Sequence, residues 1–211
     1  MAREREPVGL GCALRRLGLA ISAMAVCGLS GCDMVSTRRP MLSAKASGLK
    51  LAEGLWVAQD ESCPFDAKSP KATWPLCAVE VTVRGSTARI HHGRDPDTIA
   101  LFVILGDDPK IVQAYDPKTH RYIYARVRVV AEDAEGRAVQ LTGAPILCGP
   151  PTGNGSGPSV ATYPGLSRRR GEKVGCTTHD VKALLNAALE TAEPATHPKV
   201  TWVSTSADPQ P

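Results

Sequence analysis

Period-two runs of apolar residues, separated by tight turns, recur from Leu55 to Leu147 and constrain the fold more than any other feature. Val79, Val81 and Val83 alternate with Glu80, Thr82 and Arg84. In a pleated strand that period sends one set of side chains to each face, so the segment is expected to be half buried. Gly85-Ser86 suits a two-residue hairpin turn, and Ala88, Ile90 and His92 continue on the return strand. Ile99 to Leu105 (IALFVIL) is apolar throughout, which predicts a strand buried on both faces or a short core helix. Gly106-Asp107-Asp108-Pro109 closes it in a turn. A short strand follows from Ile111 to Tyr115, ended by Asp116-Pro117. In the next, Ile123, Ala125, Val127 and Val129 share one face while Tyr122, Tyr124, Arg126 and Arg128 share the other. Asp133-Ala134-Glu135-Gly136 turns the chain, and Val139 to Leu147 runs back. Strands so spaced form an antiparallel meander, expected to close as a small barrel or a sandwich.

Residues 149–175 carry no period, several Pro and Gly clusters and the run Arg168-Arg169-Arg170, and are expected to form a long loop. One helix is predicted over about 177–192. Thr177 serves as its N-cap with Asp180 three residues on, and Val181, Leu184, Leu185, Ala188 and Leu189 form its stripe. Pro194 ends it, and Val200, Trp202 and Ser204 suggest a closing strand. The body is thus one mainly β domain over 51–205, followed by a tail at 206–211.

The N-terminal region has a different character. Arg3, Arg5, Arg15 and Arg16 precede an uncharged apolar run from Leu17 to Leu29, too short for a permanent transmembrane helix but right for a signal peptide. Leu29-Ser30-Gly31-Cys32 follows directly. The combination resembles the lipobox of bacterial lipoproteins. That resemblance implies that residues 1–31 are removed, that Cys32 carries a diacylglyceryl group, and that its new amino terminus is acylated. Each buried methylene contributes about 0.8 kcal/mol, so three chains would make release negligible. Asp33 resembles the signal that retains such proteins in the inner membrane of enteric-type bacteria, which favours the periplasmic face of that membrane. Residues 32–50 are then expected to form a tether holding the body roughly 20–25 Å from the bilayer. Arg38 and Arg39 lie within it and read first as solvated linker charge, with contact to anionic headgroups as the alternative.

Removing residues 1–31 leaves 21 basic and 19 acidic residues, a balance that gives no reason to expect nucleic acid as a partner. It also leaves Cys63, Cys77, Cys148 and Cys176 besides the lipidated cysteine. Four cysteines in an exported chain read as two disulfides, with three possible connectivities. Pairing Cys63 with Cys77 and Cys148 with Cys176 is preferred, because each pair brackets one Pro/Gly-rich loop. The rival reading is a zinc site, for which the expected C-x2-C and H-x3-H spacings are missing.

Candidate sites are few. His91 and His92 are adjacent in a strand and point to opposite faces, while His120, His179 and His197 fall in loops or at the helix start. No G-x-S-x-G elbow occurs. Gly153-Asn154-Gly155-Ser156-Gly157 lacks the Lys-Ser/Thr of a phosphate loop. Acidic residues such as Asp95, Asp97, Asp107 and Asp108 lie in turns. No catalytic residue, metal site or cofactor is therefore expected. Two possible binding features remain. Arg168, Arg169 and Arg170, with Lys173, would suit headgroups, polymer phosphates or an acidic protein, although a solvated loop kept open by self-repulsion is the preferred reading. The face with Tyr122, Tyr124, Arg126 and Arg128 would line a ligand pocket if it faced a barrel interior, but outward, solvent-facing placement is preferred because Ala and Val opposite suit close packing.

The segments GLW (54–56), CPFD (63–66), WPLCA (74–78) and PILCGPP (145–151), followed by a helix and strand, make the chain similar to a group of proteobacterial envelope lipoproteins. The similarity covers most of Leu55 to Val203 and brings no activity with it. The expected role is a non-catalytic binding or scaffold module of the cell envelope, meeting another protein or a cell-wall or lipid component. The alternatives are a lipocalin-like carrier of a small apolar or anionic ligand and an enzyme whose site forms only in three dimensions.

Overall fold

The period-two runs become the strands of one curled antiparallel sheet. The computed structural model describes residues 33–43, 50–59, 63–75, 77–91, 93, 98–104, 109–150, 161–171, 174–191 and 199–204, with backbone alone at 59, 98, 100–104 and 204. In chain order the strands are β1 (Ser36–Thr37), β2 (Gly54–Gln59), β3 (Ala78–Arg84), β4 (Thr87–His91), β5 (Thr98–Ile104), β6 (Lys110–Asp116), β7 (Arg121–Glu132), β8 (Ala138–Pro145), β9 (Ser167–Arg168), β10 (Cys176–Thr177) and β11 (Lys199–Ser204). One helix, α1 (Val181–Glu190), lies between the last two.

Six strands, β3 to β8, form the predicted meander, each paired with the next. β2 extends it beside β3, and β11 pairs with β2. The sheet curls into a half-barrel, and β8 bridges its ends by pairing with β7 along one edge and with β11 at Val200↔Leu141 and Thr201↔Gln140 along the other. The β3–β4 turn uses Gly85 at φ +60°, a left-handed position where glycine avoids the clash a Cβ brings. The ambiguous run is a strand over its described part, β5 to Ile104, and Ile99 on it is 44% exposed rather than buried.

Alternation decides what each face meets. Trp56, Val79, Val81, Ala88, Ile90, Val112, Ala114, Ile123, Ala125, Val127 and Leu141 point inward and form one buried cluster. Trp56 is fully buried in it, its Nε1–H donating to the Ala52 carbonyl at 2.9 Å. The outer face is covered in two places. Over β2 and β3, Phe65 and Trp74 of the Cys63–Cys77 loop pack on Leu55 and Ala78. Over β6, β7 and the end of β8, α1 and the N-terminal segment pack on Ile111, Tyr124 and Ile146.

Three expectations are corrected. The helix begins at Val181 and not near 177: Asp180 is the N-cap, its carboxylate accepting from the Lys182 N–H, while Thr177 is drawn into β10 opposite Ser167. Its buried face holds Ala183, Leu184, Ala187 and Ala188, with Leu189 53% exposed, because small residues let the helix approach the sheet closely. The third correction concerns the tether. Residues 33–43 are part of the body, and Asp33 to Thr37 are all buried. An extended chain that pairs its backbone and buries Val35 and Leu42 gains more than the solvated coil expected from its composition.

Candidate functional site

Asp33, the first described residue after Cys32, is fixed to the body from three sides. Its side chain is only 6% exposed. Carboxylate Oδ1 accepts from the Gly175 N–H at 2.8 Å and forms an ion pair with the Arg168 guanidinium. Its carbonyl accepts from the Cys148 N–H at 2.9 Å. Met34 bridges to Leu147, and Val35 bridges in parallel to Cys176. The Cys148–Cys176 disulfide joins the two strips of chain between which the segment lies, with Cα atoms 5.7 Å apart. Gly175 has φ +85°, a left-handed conformation that favours glycine, and a Cβ there would also press on the Arg169 guanidinium.

Farther along, the segment is held by polar side chains of the outer sheet face. Ser36 and Thr37 pair with Ile123 and Tyr122 of β7, taking the edge that β8 vacates. The Thr37 hydroxyl and the Tyr124 phenol share a 2.6 Å hydrogen bond, and Tyr124 is 1% exposed. Burial pushes the Tyr124 hydroxyl from 10.0 up to about 12, although the bond to Thr37 pulls the other way. Buried Gln113 of β6 accepts from the Met41 and Leu42 N–H groups at 2.8 and 2.9 Å and donates to the Leu42 carbonyl at 3.3 Å. Gln113 and Tyr124 had no sequence signal marking them as anchors; outward polar residues on a strand ordinarily meet water.

Two surface grooves accompany these covers. One, of about 490 Å³, lies between the N-terminal segment and the start of α1 and is lined by Arg38, Arg39, His179, Pro40, Met41 and Val181, among others. The other, of about 400 Å³, is floored by Phe65 and Trp74 within the Cys63–Cys77 loop, with Pro64, Pro75 and Asp66 beside them. The two rings meet edge to face at 5.5 Å, and the Trp74 Nε1–H donates to the Ser69 carbonyl at 2.9 Å. Lys71 and Glu80 pair at 3.0 Å alongside, tying the loop to β3.

The predicted binding residues are dispersed. Tyr122, Tyr124, Arg126 and Arg128 do face outward, but the expectation of a wet face is corrected at Tyr124, which lies beneath the N-terminal segment; Arg128 is exposed. Arg168 and Arg169 serve the fold, the first on Asp33 and the second donating to the Val174 carbonyl at 3.0 Å, while Arg170 is exposed. Both preferred cysteine pairs form, Cys63 with Cys77 and Cys148 with Cys176. His120 takes a left-handed turn conformation, its Nδ1 3.0 Å from the Tyr115 hydroxyl, and His179 borders the first groove. Cys32 and the rest of the lipobox, His92, His197, Lys173, Asp95, Asp97, Asp107, Asp108, residues 153–157 and the tail lie outside the described residues. Among the described residues, no group of three His, Cys, Asp or Glu side chains is placed to hold a metal ion, and no helix is long and apolar enough to cross a membrane. Among the described residues, the inward side chains of the sheet bury one another in a single cluster. No protein-family model matches the chain, and no curated protein or solved structure does either.

Proposed function

We propose that this protein is a lipoprotein of the bacterial cell envelope, held to the membrane by lipid on Cys32, whose body is a non-catalytic binding or scaffold module. The observation that carries the reading is the clamp on Asp33. Because the body begins one residue after the lipobox cysteine, a lipid there seats the β domain directly on the bilayer in a fixed orientation. A module so held presents the same surface to its partner at all times, which lowers the ordering cost of binding. The two cysteine pairs agree with an oxidising compartment such as the periplasm. The periplasmic face of the inner membrane is the proposed location, and in this reading Asp33 serves the clamp whichever membrane holds the anchor. The two grooves on the outer surface favour recognition of an envelope protein or cell-wall component.

Intact mass analysis of protein extracted from native membranes tests the anchor. A chain beginning at Cys32 and carrying a diacylglyceryl group and one acyl chain is the expected result; an unmodified Cys32 would overturn it. With a cleavable signal in place of residues 1–31, the Cys32→Ser chain is expected in the soluble periplasmic fraction. Photocrosslinking from Ser69, at the Phe65–Trp74 groove, should give one discrete adduct in intact cells. A smear of unrelated adducts would count against a specific binding module.

A further inference from the structure

We infer that the groove between Arg38-Arg39 and His179 seats the phosphate of an anionic phospholipid headgroup. The inference rests on the anchor reading only for what brings a bilayer within reach. Arg38 and Arg39 are both exposed at the groove, and His179 faces them from the start of α1. Among the described residues, no carboxylate lines it. Asp180, the nearest acid in sequence, spends its carboxylate on the Lys182 N–H. Two guanidiniums on neighbouring residues match a phosphate in charge and in hydrogen-bond geometry. Pro40, Met41 and Val181 supply an apolar wall, so the groove suits an amphiphile whose charged head joins a hydrocarbon body. A volume of about 490 Å³ admits a headgroup with its glycerol.

Position supports the same occupant. The segment runs from Asp33 to Thr37 as extended, paired chain, so Arg38 lies at most about 17 Å beyond the clamp. A bilayer at Cys32 is therefore close enough for the groove to reach it, and an arginine brought up to an anionic surface strengthens binding about fivefold. The Asp33 clamp and the Thr37–Tyr124 and Gln113 bonds hold the groove in shape without using either arginine side chain.

The test uses the chain from residue 32 with Cys32→Ser, exported behind a cleavable signal; every contact described above lies within that chain. Cosedimentation with phosphatidylglycerol vesicles and with phosphatidylcholine vesicles is compared for this protein, for Arg38→Gln/Arg39→Gln, and for Lys68→Gln/Arg84→Gln, which removes two exposed charges elsewhere. Selective binding to phosphatidylglycerol is expected, weakened about 30-fold by the first pair and little by the second. Equal loss from both pairs, or equal binding to both lipids, would overturn the assignment. So would binding of inorganic phosphate alone that depends on Arg38 and Arg39 and equals the vesicle affinity, which would assign the groove to a free anion. Because this chain carries no lipid, a failure here is separate from a failure of the anchor, which the mass of native Cys32 reads.

Discussion

The two covers on the outer sheet face are built in opposite ways. The Cys63–Cys77 loop closes over 14 residues and packs a small cluster of its own on the two strands that flank it. The cover over β6 to β8 is assembled from distant pieces: residues 33–43, the chain around Cys148 and Cys176, and α1. Its polar bonds span 71 residues from Leu42 to Gln113, 87 from Thr37 to Tyr124 and 135 from Asp33 to Arg168. The first is a local lid; the second is a knot that exists only once the sheet exists. Disturbing one piece of the knot is therefore expected to loosen the others, whereas damage to the lid should stay local.

Removing each disulfide tests that contrast most forcefully. In the loop-entropy treatment Cys148→Ala/Cys176→Ala loses about 3.5 kcal/mol and Cys63→Ala/Cys77→Ala about 3 kcal/mol. The sharper difference is spatial. Hydrogen exchange at residues 33–43 should accelerate in the first variant and hold steady in the second. Equal acceleration in both would erase the distinction.

Asp33→Ala comes next. It removes a charge-assisted bond from Arg168 and one from Gly175, and about 2 to 3 kcal/mol is the expected loss in denaturant unfolding. Arg168→Gln should cost a comparable amount, since it takes the cation from a carboxylate that is only 6% exposed, whereas in Asp33→Ala the 32% exposed Arg168 head can turn to water. A double-mutant cycle giving no coupling between the two would remove the ion pair from the account.

The sheet itself was legible in the sequence, and the knot was not. Val79 to Arg84, Gly85, and Asp133 to Gly136 carry strand and turn chemistry within a few residues, so period and turn type sufficed. The inward face of β7 was equally readable, since Ile123, Ala125 and Val127 can only be buried together. What covers the outer face was not readable. β1, β9 and β10 are two residues long, too short for any period, and owe their place to backbone pairing with distant chain. Asp33, Gln113 and Tyr124 look like solvent-facing residues in sequence, and only their partners show that each is buried. The cysteine pairing was within reach because each bond brackets one loop; the segment lying beneath the second was not.

Gln113→Leu probes the knot more gently. It leaves the Met41 and Leu42 N–H groups without their acceptor, and a loss of about 1 to 2 kcal/mol is expected. An unchanged unfolding midpoint would mean that this stretch is held by Leu42 alone. Smallest is Tyr124→Phe, at about 1 kcal/mol at neutral pH. Its pH signature is more telling. Burial raises the folded-state value from 10.0 to about 12, so the folded chain holds that proton more tightly than the unfolded one. Its stabilising share is complete below pH 10 and is lost as pH rises from 10 through about 12. Tyr124→Phe should flatten that part of the stability profile; an identical alkaline decline would place the phenol in water.

The central claim is that the chain just after Cys32 is built into the body. Hydrogen exchange on the native protein tests it most directly. Amides of Val35, Met41 and Leu42, bonded to Ile146 and Gln113, should exchange as slowly as those of β6 and β7. Exchange at the rate of free chain over residues 33–43 would restore a tether and contradict the account.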